Sequence, residues 1–190
     1  GAFGCVRNSG TRLHEGIDIK CLKLDDDGEP IDMVMASRSG RVVYINRNSS
    51  ASNYGKYDVL IHELGDLPIY TLYAHLRSVD KALNIGDLTN AGATLGTLGR
   101  TTNTNEGISK ERAHLHFEIG VQVNAKFNDW FDHWYADGQN FHGNWNGMNL
   151  LGLDAAVVAV FHVMRVVYVI MFAPVFFRWR RRTGSVPPKP

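Results

Sequence analysis

Neither sign of charge prevails in this chain: 20 basic residues stand against 19 acidic ones, a formal net charge of +1 over 190 residues. A domain so balanced lacks the electrostatic footprint of a nucleic-acid binder, so nucleic acid is not the expected partner. Cysteine is scarce as well. Cys5 and Cys21 are the only two, and neither belongs to a CxxC pair, which argues against a cysteine zinc site. They straddle "TRLHEGID" and fit either one disulfide in an oxidising compartment or two buried thiols. No repeat of fixed period is present. No initiating Met, basic n-region or apolar h-region opens "GAFGCVRNSG", so any signal peptide lies upstream or has been removed.

What the chain does have is an ordinary globular composition, 44% hydrophobic and 21% charged, at a length that suits one well-packed domain plus a tail. "IDMVMAS", "GRVVYINR", "YDVLIHEL", "PIYTLYAHL" and "AHLHFEIG" are rich in Val, Ile and Tyr and bounded by Gly, Asn, Asp or Ser. They predict a mainly β domain over residues 1–150, a compact antiparallel sandwich or barrel. Glycines at 86, 92, 96 and 99 suit tight turns and close backbone crossings. "KFNDWFDHWYAD", residues 126–137, reads as a short helix or loop whose aromatics pack on the sheet.

Residues 151–190 change character. The apolar run 155–177 is long enough to cross a bilayer and is followed by Arg178, Arg180, Arg181 and Arg182, the pattern of a membrane anchor with a basic cytoplasmic flank. Arg165 at mid-span opposes this by about 2.5–3.5 kcal/mol. Asp154, His162 and Arg165 fall within roughly 80° on a helical wheel, so the tail also reads as a packed or interfacial helix with a narrow polar stripe.

Histidine placement is the most informative feature. In "HLH", His114 and His116 point to one face of a strand. In "HEGID", His14 and Asp18 are four apart and converge in an extended segment, with Gly16 between them. "YAH" adds Tyr73 and His75. A catalytic zinc site takes three protein ligands and leaves a position for water; His14, Asp18 and one of the His114/His116 pair supply that number. His75 and the unused member are then candidates for acid/base work. His62, His133, His142 and His162 show no such grouping.

Taken in order, "HEGID", "YAH" and "HLH" resemble the motifs of the LytM and lysostaphin-type zinc peptidases, bacterial enzymes that cut peptidoglycan peptides. The resemblance covers roughly residues 10–120, including "GRVVYINR" and "NIGDLTNAGATLGTLGRT". It implies His14, Asp18 and His116 as zinc ligands, His75 and His114 as non-ligand catalytic histidines, and Tyr73 beside the groove as a substrate contact or a packing residue. It also implies a mostly antiparallel β domain, Zn2+ as cofactor, peptidoglycan peptides as partner and a place in the cell envelope. One loop departs from the family: "TTNTNEGISKERAHLHFEI" has Thr102 where glycine is usual and extra residues before His114. Two rival functions belong to the same motifs: a non-hydrolytic regulator of a cell-wall amidase, and a zinc peptidase acting on proteins.

Overall fold

Alternating Val, Ile, Leu and Tyr between turn residues set the strands, and the backbone follows them. The computed structural model describes residues 1–7, 10, 12–64 and 67–160. The chain divides into two compact units, Gly1–Asp154 and Ala155–Pro190. In chain order the first contains β1 (Val6–Arg7), β2 (Arg12–Leu13), β3 (Ile17–Lys20), β4 (Met33–Met35), β5 (Gly40–Asn46) and β6 (Lys56–Leu64). There follow β7 (Leu67–Leu76), β8 (Ser78–Val79), β9 (Leu88–Thr89), β10 (Thr94–Thr97), β11 (His114–Gln122), α1 (Phe127–Trp134) and β12 (Leu150–Leu153).

The architecture is mainly β and antiparallel, as the strand runs predict. The central sheet runs β12-β11-β7-β6-β5-β9, and β3 shares an edge of β11 with β12. β3 takes the His114–Phe117 half of β11 and β12 takes the Ile119–Gln122 half. A smaller sheet is ordered β4-β10-β8.

Directly opposed residues of an antiparallel pair point to the same side, so register assigns faces. His116 opposes Asp18 on β3 and Ala74 on β7, Glu118 opposes Leu72, and Gly120 opposes Tyr70. This site face continues into a core of Tyr57, Val59, Tyr70, Leu72, Ala74 and Leu150, on which Tyr44, Tyr54 and Trp145 pack. Burial of each large apolar side chain there stabilises by about 1.5–3 kcal/mol. The far face of the sheet carries Phe117 opposite Tyr73, and Asp58 opposite the same Tyr73.

One irregularity in β7 positions chemistry. Lys56 pairs with Leu76 but Asp58 pairs with Tyr73, so Tyr57 alone faces both Ala74 and His75. That is a β-bulge, and His75 takes it up at φ 62°, the only positive φ outside glycine among the described residues. Strict alternation would send His75 to the far face with Tyr73; the extra residue turns it toward the site.

Gly86 and Gly92 make turns at φ 99° and 82°, while Gly96 and Gly99 lie where a Cβ would come within 2.2 and 2.3 Å of neighbouring backbone. The helix α1 buries Phe127 and Phe131, whose rings pack on each other and on Trp130 and Tyr135, but leaves Trp134 67% exposed. Cys5 is exposed and Cys21 half-buried, and both are free thiols: neither the disulfide nor a pair of buried thiols is formed.

Of the second unit, residues 155–160 are helical. The rest of the apolar run and the arginine flank lie outside the described residues. Among the described residues no helix is long and apolar enough to cross a membrane.

Candidate active site

Strand pairing brings the ligand candidates together. Asp18 on β3 and His116 on β11 are register partners, and His14 precedes β3 by one turn of chain. Asp18 Oδ1 lies 2.9 Å from His14 Nε2 and 3.1 Å from His116 Nδ1, and the two ring nitrogens are 3.0 Å apart. All three residues are buried or nearly so. A tetrahedral zinc with bonds of ~2.0–2.1 Å needs ligand atoms about 3.3 Å apart, so this triangle fits after opening by a few tenths of an ångström. Two imidazole lone pairs and a carboxylate oxygen aimed at one point form a donor set suited to a divalent cation, and the group satisfies the geometric requirement for a metal site.

Gly16 owes its place to the sheet rather than to the ion. A Cβ there would lie 2.3 Å from the Phe117 carbonyl oxygen and 2.9 Å from Glu118 Cγ, so only glycine lets β3 approach β11 this closely.

The hydrogen bonds made by each ring fix its tautomer. His14 Nδ1–H donates to the Ala2 carbonyl at 2.8 Å, which turns Nε2 toward Asp18 and His116. His75 Nδ1–H donates to the Thr101 carbonyl at 2.8 Å and His114 Nδ1–H to the Arg112 carbonyl at 2.6 Å, so both also present Nε2. The two rings meet edge to face, 4.9 Å between centroids, and His75 stands 5.9 Å from His116. His114 Nε2 is buried without a hydrogen bond, 3.5 Å from Asp18 Oδ1.

Burial pushes the pKa of His75 down to about 3, against the Thr101 hydrogen bond that opposes the shift, and lowers that of His114 as well. Both rings are therefore neutral acceptors at neutral pH. His116 goes the other way. Burial lowers it, but hydrogen bonds to Asp18 and Glu118 outweigh that and push it up to about 9.

A comparison with protein families matches residues 12–128 to peptidase family M23. The chain belongs to that family. No curated protein matches it. Among solved structures, it is similar to the catalytic domain of the antimicrobial peptidase lysostaphin from Staphylococcus simulans, at 25% identity, TM-score 0.47, covering 64% of this chain and 77% of that one. It is likewise similar to the catalytic domain of the prophage-encoded M23 protein EnpA from Enterococcus faecalis, at 18% identity and TM-score 0.45, over 64% and 78%. A zinc-containing peptidase from Vibrio cholerae matches at 22% identity and TM-score 0.47, over 64% of this chain and 32% of that one.

In this M23 chain, five of the six residues singled out from sequence gather at one place, and Tyr73 does not. Its side chain is on the far face, 1% exposed, against Phe117 at 5.3 Å between ring centroids. Its hydroxyl accepts from Ser37 N and bonds Ser37 Oγ, both at 2.9 Å. Tyr73 is a packing residue, the alternative the motif left open, because the bulge at His75 separates the two side chains of "YAH".

Glu118, Tyr54 and Tyr70 of the site were not singled out from sequence. Glu118, fully buried, accepts from His116 Nε2–H at 2.8 Å, from Tyr54 Oη at 2.7 Å and from Tyr70 Oη at 2.8 Å. Its spacing from His116 puts it on the same strand face, a readable signal. Tyr54, whose ring lies 5.6 Å from that of His116, comes from a loop and gave none. The departing loop borders the site and is pinned to residues 25–29: Arg100 makes a bidentate pair with Glu29 at 2.8 and 2.9 Å, and Lys110 Nζ donates to the Asp27 carbonyl at 2.7 Å.

Proposed function

We propose that this M23 chain is a zinc-dependent endopeptidase that hydrolyses peptide bonds of bacterial peptidoglycan. The convergence of His14 Nε2, Asp18 Oδ1 and His116 Nδ1 on one point, with the neutral Nε2 atoms of His75 and His114 beside it, carries this reading. His14, Asp18 and His116 would hold the ion. Bound there, zinc supplies Lewis acidity toward a peptide carbonyl and lowers the pKa of water toward neutrality.

The chain's own part is to hold the water and move its proton. His75 Nε2 and His114 Nε2 are acceptors of fixed orientation, so either can receive a hydrogen bond from the attacking water and take its proton. Once charged, the same ring becomes a donor. It can stabilise the developing oxyanion or return the proton to the leaving amine. The low pKa of His75 favours giving that proton up, which suits a group that shuttles rather than stores it.

Peptidoglycan lies outside the cytoplasmic membrane, so this reading puts the protein in the cell envelope, periplasmic or extracellular. Digestion of purified peptidoglycan with zinc and with a chelator, the fragments read by mass spectrometry, tests it. Chelator-sensitive release of peptide fragments is expected. A chain that binds zinc, releases nothing and instead stimulates a cell-wall amidase would overturn the hydrolase reading.

A further inference from the structure

Glu118 occupies a position where the sheet calls for an apolar residue. It is fully buried, opposite Leu72 and next to the Tyr57, Val59 and Leu72 core. A carboxylate buried without partners is strongly unfavourable. Here it has three donors: His116 Nε2–H, the Tyr54 hydroxyl and the Tyr70 hydroxyl, at 2.8, 2.7 and 2.8 Å. Burial and then the charge of Glu118 hold both phenols well above their usual pKa, so both remain O–H donors. No Lys or Arg contacts the group among the described hydrogen bonds and ion pairs.

His75 and His114, which turn Nε2 toward the site, and His14 each donate Nδ1–H to a main-chain carbonyl. His116 instead donates its outward N–H to a side chain, that of Glu118. It also presents the opposite nitrogen: Nδ1 faces Asp18 and His14. An Nε2–H held by an acceptor-only carboxylate turns Nδ1 toward Asp18 and His14, the nitrogen that would meet the ion once its own proton is released.

We propose that Glu118 is a positioning residue for the metal centre: through the Nε2–H bond it fixes the tautomer and ring angle of His116, and Tyr54 and Tyr70 lock the carboxylate in place. The role rests on the zinc reading above. A carboxylate behind a ligating imidazole also makes that imidazole a stronger donor to the ion. The tyrosines saturate the remaining lone pairs, so that the carboxylate has one place to be.

The test is zinc affinity, by competition with a chromogenic chelator, on the full chain and on Glu118→Gln. The amide keeps the shape and removes the charge. Affinity is expected to fall about 10- to 100-fold. In the zinc-loaded wild type, the His116 Nε2 proton is expected as a slowly exchanging, far-downfield NMR resonance; in Glu118→Gln it moves upfield or exchanges away. Loss of packing alone would shift neither while the fold holds. If Glu118→Gln does not fold, Tyr54→Phe/Tyr70→Phe answers the same question: the His116 resonance remains downfield, and affinity falls by several-fold because the carboxylate is no longer locked. Wild-type zinc affinity and an unmoved resonance in Glu118→Gln, or wild-type affinity in the double variant, would overturn the role. A wild-type chain that takes up no zinc would overturn the metal reading itself, and the role with it.

Discussion

The proposed mechanism gives each of the five motif residues a distinct job at the level of single side chains, so single substitutions separate them. His75→Ala and His114→Ala remove one positioned proton acceptor each, worth about 2.7–4 kcal/mol of barrier, and are expected to slow hydrolysis roughly 100- to 1000-fold while zinc is retained. His116→Ala removes a ligand. Zinc content by metal analysis should fall well below one per chain, and one zinc retained at wild-type affinity would contradict the assignment. His14 with Asp18, and His114 with His116, were legible because their spacing in extended chain brings each pair to one face, whereas the choice of His116 over His114 and the role of His75 came from the resemblance. Tyr73 entered with His75 as part of one motif, with packing as its alternative role, and the bulge parts the two side chains.

Asp58 offers a test independent of chemistry. Both of its oxygens are buried without a hydrogen bond, on the far face of the sheet. Desolvation pushes its pKa up to about 8, against a smaller pull from Arg47. The unfolded chain releases this proton near pH 4 and the folded chain does not, so the unfolded state gains as pH rises between the two values. Stability therefore falls from about pH 4 to pH 8 and levels above, by roughly 4–6 kcal/mol in total if no other group compensates. Asp58→Asn removes the slope. Urea denaturation of both proteins at pH 5 and pH 8.5 should show the variant's advantage growing with pH, and parallel profiles would rule this account out.

At the level of elements, β3 and β11 set the geometry of the proposed metal site and the bulge in β7 brings His75 beside it. Gly16→Ala would drive a Cβ into the Phe117 carbonyl, part β3 from β11 and separate Asp18 from His116. Reduced zinc affinity and a lower Tm are expected together. His75 sits at φ 62°, a conformation that costs a non-glycine residue roughly 1–2 kcal/mol. His75→Gly should therefore be more stable than His75→Ala by about 1 kcal/mol, although both are equally inactive. The strands themselves were readable from their Val, Ile and Tyr runs. The bulge was not, because one extra residue leaves no mark in composition, and the loop contacts of Tyr54 depend on residues more than sixty positions away.

For the molecule as a whole, a bound ion that prefers the folded state should add stability by mass action, about 4 kcal/mol at a thousandfold excess over Kd. Chelation should lower Tm in the wild type and leave it unchanged in His116→Ala. The β unit ends at Asp154 and holds every residue of the proposed site. Removing residues 155–190 should then leave hydrolysis of soluble muropeptides unchanged.

His14, His75 and His114 are steered by the carbonyls of Ala2, Thr101 and Arg112, atoms that every amino acid carries alike. The catalytic apparatus is thus indifferent to the identity of most side chains along the 102–112 loop, provided the path of its backbone is kept. Such a protein can change its diet without relearning its chemistry: the loop is free to drift, or to be randomised in a library, and selection for a new peptide need not rebuild the centre that cuts it.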